Sequence, residues 1–184
     1  MRLENSFDVP AQPEAAWTLL NDVPRIIPCM PGAELTEVAG ENAWKATMHV
    51  KLGPIALQFG MDVSREEADE AARSMVLSAN ARELKGRGGA QARIESTLVE
   101  TAGGTRVAIV TDLTLQGRVA QYGRGIVADV AARLTRQFAE CIAAQLAAPE
   151  DASGPPPTEI EPVGGLSLAL AALWRSFLRL FRRA

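Results

Sequence analysis

The sequence predicts an α+β fold in which a curved antiparallel sheet wraps around one long C-terminal helix. Three observations predict this fold. A strand and two short helical segments come first, about six strand patterns follow as far as residue 117, and a single long amphipathic segment comes last. A chain of 184 residues suffices for one such domain with an appendage.

Prolines mark the elements at the N-terminus. Residues 3–9 form a predicted short strand, and Pro13 suits the first turn of a helix over 13–22. The segment 23–32 contains three prolines, which prevent one regular helix. It is therefore interpreted as a short turn-like helix followed by a loop.

The predicted strands alternate between apolar and polar residues. The alternation runs through 43–52 and 55–63 and resumes in 74–83, 92–102 and 105–117. The acidic residues 65–72 between the second and third of these strands are interpreted as a turn.

One position in the last predicted strand bears on catalysis. If the strand is regular, either Thr111 or Asp112 must face inward, and we expect Thr111 to do so together with Val107 and Ile109. An inward Asp112 would favour an enzyme.

Residues 124–147 form the predicted long helix, with an apolar face that contains small residues such as Ala131. Small residues fill space poorly, so we expect an apolar cavity between this helix and the sheet, suited to a hydrophobic small molecule. A simple filled core is the alternative. The residues expected to line the cavity are Trp44, Met48, Phe59, Met61, Val127, Val130, Leu134 and Phe138.

Composition argues against several classes of function. The net charge of −3 argues against nucleic acid as the main partner. The single histidine, His49, is predicted to face solvent, and no metal or catalytic set is expected. Cys29 and Cys141 are interpreted as two reduced thiols in a reducing compartment. The start of the chain lacks an apolar leader, so we expect a cytoplasmic protein.

Beyond the domain of residues 1–148, two further segments differ in composition. Residues 149–165 are rich in proline and acids and are predicted to be a disordered linker. Residues 166–184 are predicted to form an amphipathic, cationic helix on a membrane surface. A groove on a partner protein, or folding back onto the domain, are alternatives. The predicted membrane-binding residues are Leu170, Trp174, Arg175, Phe177, Arg179, Phe181 and Arg182.

Four stretches of the chain together carry a family resemblance. They are ENSFDVPAQPEAAWTLLND (4–22), IPCMPGA (27–33), KLGPI (51–55) and YGRGIVADVAARLTRQFAECI (122–142). The combination resembles the carbon monoxide dehydrogenase CoxG family, which belongs to the START-like, or SRPBCC, helix-grip superfamily. The resemblance extends from Met1 to about Leu146.

The resemblance implies a helix-grip fold with an internal apolar cavity and a non-catalytic accessory role. Such a protein would link a molybdenum hydroxylase, such as carbon monoxide dehydrogenase, to the inner face of the cytoplasmic membrane. It would bind a respiratory isoprenoid quinone or another lipid, with no covalent cofactor. A membrane-recruitment adaptor without ligand, or a START-like cyclase or hydrolase, are the alternatives. The particular hydroxylase and the oligomeric state stay open.

Overall fold

The long C-terminal helix lies against one face of a seven-stranded antiparallel sheet. The computed structural model describes residues 1–52 and 55–148. The strands are β1 (Arg2–Val9), β2 (Ala33–Gly40), β3 (Ala43–Leu52), β4 (Ile55–Asp69), β5 (Ser74–Glu83), β6 (Gly88–Thr101) and β7 (Gly104–Gly117). The helices are α1 (Pro13–Asn21), α2 (Val23–Ile26) and α3 (Arg124–Ala147), with short 3-10 helices at Ile27–Cys29 and Arg118–Gln121. The predicted α+β fold is confirmed.

The sheet follows a simple meander with one exception. The strand order is β1-β7-β6-β5-β4-β3-β2, so β1 pairs with the last strand of the chain. Leu3 lies opposite Thr111, and Val9 lies opposite Thr105. This pairing brings the N-terminus beside the segment that leads into α3, and it places α1 and α2 across one end of the helix.

The turn predicted at the acidic residues 65–72 is wrong. Strand β4 continues to Asp69, where it pairs with Ser74 of β5, and the turn occupies the residues between them. The acids of this part of β4 are exposed, although the β5 residues Val76 and Met75 that pair with it are buried. Glu66 forms an ion pair with Arg93 of β6. Backbone pairing therefore determines the strand, while the side chains remain solvated.

Helix α3 is held by its C-terminal half. Phe138 and Ile142 are buried there with Phe7, Trp17 and Leu98 in the larger core cluster. The Phe7 and Phe138 rings meet edge to face, with their centroids 5.9 Å apart. Along the sheet, α3 packs mainly on β1. The helix is thus fixed at one end and along one edge strand.

Cys29 and Cys141 form a disulfide, so the prediction of two reduced thiols is wrong. Folding places the 3-10 helix that contains Cys29 against α3, with the two Cα atoms 5.4 Å apart. The Gln145 side-chain amide donates a hydrogen bond to the Cys29 sulfur at 3.1 Å. A separation of 112 residues gives no sequence signal for this pairing.

The two C-terminal segments, 149–165 and 166–184, lie outside the described residues, as do all seven predicted membrane-binding residues. Within residues 1–52 and 55–148, no helix is both long and apolar enough to cross a membrane.

The disulfide should contribute strongly to stability. Because it closes a loop of more than 100 residues, Cys141→Ala should lower the free energy of unfolding by about 2–5 kcal/mol. Chemical denaturation without reductant measures the loss. As a control, the double variant Cys29→Ala/Cys141→Ala should be as stable as reduced wild type. If Cys141→Ala lowered the free energy of unfolding by less than about 0.5 kcal/mol, the bridge would not stabilise the domain.

Candidate functional site

An apolar cavity of about 450 Å³ lies between α3 and the concave face of the sheet. This volume falls in the range of about 300–1,000 Å³ that is usual for small-molecule sites. Its wall includes residues from every strand, from α2, from both 3-10 regions and from α3. Most of these side chains are aliphatic, aromatic or methionine.

Small side chains on both surfaces create the cavity. Within α3, the lining residues before Phe138 include Val127, Val130 and Ala131, whose side chains are short. On the sheet, alanines occupy two cross-strand pairs of β5 and β6, Ala79 with Ala92 and Ala81 with Ala90. We call these four residues the alanine floor. Neither surface has the side-chain volume that would fill the space between them.

Seven of the eight residues predicted to line the cavity lie in its wall. They are Met48, Phe59, Met61, Val127, Val130, Leu134 and Phe138. Met48 pairs with Phe59 across β3 and β4, which places both on the concave face. Contact of these residues with a ligand stays a prediction.

Trp44 is not among the residues that line the cavity, so its predicted position is wrong. It is buried (3% exposed) and pairs with Val63, and the Arg65 guanidinium lies 5.8 Å from the centre of its ring. Trp44 shares a face with Met48, and its partner Val63 does line the cavity. The alternation gave the face correctly, but it could not show which side chains on that face are covered by neighbouring elements.

The prediction missed most of the wall. The alanine floor is the clearest omission, because an alanine in a strand gives no sequence signal that predicts contact with a ligand. Ile26, Ile27 and Met30, from the segment with three prolines, also line the cavity. Their sequence signal is the apolar spacing within that segment, which is typical of any buried turn.

A few uncharged polar groups interrupt the apolar wall. Asn5 of β1 and Ser96 of β6 both lie opposite Ile109 of β7, one on each side. Thr111 is the next inward residue of β7 and also lines the cavity, as predicted. We call Asn5, Ser96 and Thr111 the polar patch. Asp112 faces outward, with a carboxylate oxygen 3.4 Å from the Arg2 guanidinium.

The charged groups with shifted pKa values lie away from the cavity. Arg106 donates hydrogen bonds to the Asp8 carboxylate and lowers the pKa of that acid, and Glu37 raises the pKa of Lys45 in the same way. All four side chains are exposed. The wall contains no Asp, Glu, Lys, Arg or His, so in the described part of the chain the cavity is an uncharged, mainly apolar site.

Solved structures share this architecture. A conserved protein from Geobacillus kaustophilus superposes with a TM-score of 0.71 at 20% identity, over 80% of this chain and 95% of that one. The ZhuI aromatase/cyclase from Streptomyces sp. R1128 gives 0.56 at 14% identity, over 79% and 93%. Ara h 8.0201 gives 0.52 at 15% identity, over 79% and 97%. At these identities the likeness concerns the fold alone.

The fold and its cavity define a START-like helix-grip protein. The sequence model of the carbon monoxide dehydrogenase CoxG subunit family matches residues 6–147. The chain therefore belongs to the CoxG family. No curated protein sequence matches it.

The cavity makes a testable distinction between two leucine-sized residues of α3. Ile142 is fully buried in the core, whereas Leu134 is half-buried at the cavity wall. Ile142→Ala should cost about 2–5 kcal/mol of unfolding free energy, but Leu134→Ala only about 1 kcal/mol, because fewer contacts are lost. Denaturant titration of both variants measures the difference. Equal losses would indicate a tightly packed core at Leu134.

Proposed function

We propose that this protein is a non-catalytic accessory subunit that carries an isoprenoid quinone, or a similar lipid, in the cavity. It links a molybdenum hydroxylase of the carbon monoxide dehydrogenase type to the inner face of the cytoplasmic membrane. The observation that carries the proposal is the 450 Å³ cavity with an almost wholly apolar wall.

The wall chemistry supports an apolar ligand. Because apolar surface gains about 25 cal/mol for each Å² removed from water, a ligand that fills this space binds mainly by the hydrophobic effect. Methionines at 48 and 61 add side chains that adapt to irregular ligand shapes. An isoprenoid chain, which is flexible and branched, suits such a wall.

The polar patch supports a ligand with one polar end. The Asn5 amide and the Thr111 hydroxyl can each donate a hydrogen bond to a carbonyl oxygen. The Ser96 hydroxyl donates to the Met75 carbonyl at 3.4 Å, a long bond that leaves its own lone pairs available. A few such groups in an apolar site fix the orientation of a ligand. A quinone combines two ring carbonyls with an apolar tail.

The C-terminal sequence supports a membrane location. Residues 166–184 combine Trp174, Phe177 and Phe181 with Arg175 and Arg179 at helical spacing. Basic residues near anionic lipid contribute about 1 kcal/mol each. Acting through the linker 149–165, this segment would hold the domain near the bilayer in which a quinone is dissolved.

The family description supports the enzyme partner. A subunit of carbon monoxide dehydrogenase that itself holds a lipid would leave the oxidation to its partner. The membrane quinone would then reach a soluble hydroxylase through the cavity. A START-like cyclase remains a second candidate because an aromatase/cyclase shares the fold, and the polar groups of the wall, namely the polar patch with Tyr122 and Thr135, favour it.

The disulfide bears on the proposed cytoplasmic face. Disulfides are uncommon in reducing compartments. Here Cys29 is buried and accepts a hydrogen bond from the Gln145 amide, whereas Cys141 is half-buried. An attacking thiolate therefore has limited access to the Cys29 sulfur, and the redox state of the bridge on the inner face of the membrane is a matter for measurement. Cell fractionation, with alkylation of free thiols before lysis, measures both the location and the redox state.

Occlusion of the cavity should abolish ligand carriage. Ala131 lines the cavity, while its neighbour Ala132, about 100° further round α3, is exposed. After incubation of the full chain with quinone-bearing vesicles, Ala131→Phe should retain less than about one tenth of the quinone held by wild type. Ala132→Phe, the matched control, should retain it fully. Mass spectrometry of an organic extract of the reisolated protein measures the content.

The same extraction separates the alternatives. Wild type that extracts no quinone or lipid would contradict the carrier and leave an adaptor without ligand. A bound molecule that leaves chemically altered would favour the cyclase or hydrolase.

The linking role makes its own prediction. The partner hydroxylase should sediment with anionic vesicles only when the full chain is present. Trp174→Ala/Phe177→Ala should reduce that recovery about tenfold, because two interfacial aromatics are lost. Recovery that is independent of the chain would contradict the link.

A further inference from the structure

One end of the sheet concentrates positive charge. Strands β3, β5 and β7 finish there, and β4 and β6 begin there. The three segments at this end, 48–60, 82–90 and 114–126, contain one acidic residue, Glu83. Their cations, which we call the basic rim, are Lys51, Arg82, Lys85, Arg87, Arg118 and Arg124.

The single acid of these segments forms hydrogen bonds within its own turn. Glu83 is buried (4% exposed), and its Oε2 accepts hydrogen bonds from the backbone N–H of Lys85 at 2.9 Å and of Arg87 at 3.0 Å. Glu83 therefore shapes the β5–β6 turn and leaves the exposed surface of the three segments without a carboxylate. The turn also holds the next segment, since the Arg118 N–H donates to the Arg87 carbonyl at 2.8 Å.

The two ends of the sheet differ in whether their charged side chains form ion pairs. At the far end, Arg106 pairs with Asp8 and Lys45 pairs with Glu37, both at 2.8 Å. Around the far turns, segments 37–45, 65–73 and 99–106 together contain more acids than cations. No rim cation forms an ion pair with another residue that the structure describes. The rim thus has charge available for an external partner.

Exposed apolar side chains accompany the rim. Leu84 is 58% exposed in the β5–β6 turn, and Ile126 is 50% exposed in the first turn of α3. Next to Ile126, the cavity residues Tyr122 and Val127 are half-buried. We call this stretch of the wall, which lies beside the basic rim, the cavity mouth.

We propose that the basic rim docks the domain on an anionic lipid surface, with Leu84 and Ile126 entering the headgroup boundary. Cations around exposed apolar side chains fit a surface that presents negative headgroups above hydrocarbon. Docked in this way, the cavity mouth faces the bilayer. The proposal rests on the proposed function only in taking the ligand to come from the bilayer. An apolar molecule that moves directly between bilayer and cavity avoids exposure to water.

The docking is tested on the full chain with a probe at one position. Because Cys29 and Cys141 are bridged, Ile126→Cys provides a free thiol for an environment-sensitive nitrobenzoxadiazole dye. Val99→Cys, at an exposed apolar position near the opposite end, is the matched control. On vesicles that contain phosphatidylglycerol, the emission at 126 should rise and shift to the blue. It should not do so at 99, or at 126 on pure phosphatidylcholine.

Charge variants assign the effect to the rim. In the Ile126→Cys protein, Lys85→Gln/Arg118→Gln should weaken the response about fivefold for each charge removed. Arg133→Gln/Arg136→Gln removes the same charge from exposed positions further along α3 and should leave the response unchanged. The C-terminal segment is intact in every variant, so its own binding is constant.

Three outcomes would overturn the docking. They are equal responses at 126 and 99, no dependence on phosphatidylglycerol, or equal losses in the two charge variants. If the probe at 126 responded to the hydroxylase but not to vesicles, the rim would bind an acidic protein surface instead of a lipid surface. Quinone extraction is measured separately. A probe response without extracted ligand would support the docking and contradict the carrier. Extracted ligand without a probe response would support the carrier and contradict the docking.

Discussion

The packing of α3 is the constraint on which the rest of the structure depends. At its C-terminal half, Phe138 and Ile142 reach into the core and the Cys29–Cys141 bridge holds the helix to the segment after α2. Once that half is fixed, the N-terminal half of α3 continues along the cavity as part of its wall. The side chains there are too short to close the gap, so a cavity results from rigid geometry rather than from loose packing.

An open cavity of this size is costly for a small domain. Apolar space left empty inside a protein costs about 24 cal/mol for each Å³, and the whole stability of a typical domain is only about 5–15 kcal/mol. Larger side chains at Ala131 or on the alanine floor would recover part of that energy. Small residues on both facing surfaces are therefore the pattern expected when the space serves a ligand. Bound ligand would supply the missing contacts and stabilise the fold.

The fold and part of the site could be predicted from the sequence. Helical periodicity located α3, and strand alternation put Met48, Phe59 and Met61 on the concave face. Local patterns could not show what depends on pairing between distant strands. The alanine floor exists because the register sets Ala79 beside Ala92. The disulfide, the extent of β4 and the burial of Trp44 outside the cavity wall likewise depend on tertiary neighbours.

The central claim is that the cavity, and no other surface, receives an apolar ligand with a polar end. Methyl NMR of the full chain during titration with a short-chain quinone tests it most directly. Large shifts should be confined to wall residues such as Met61, Val127, Val130 and Leu134, and should saturate at one quinone per chain. The core methyls of Val9 and Ile142 should move little. Unchanged wall methyls, or shifts spread over exposed residues without saturation, would contradict the account.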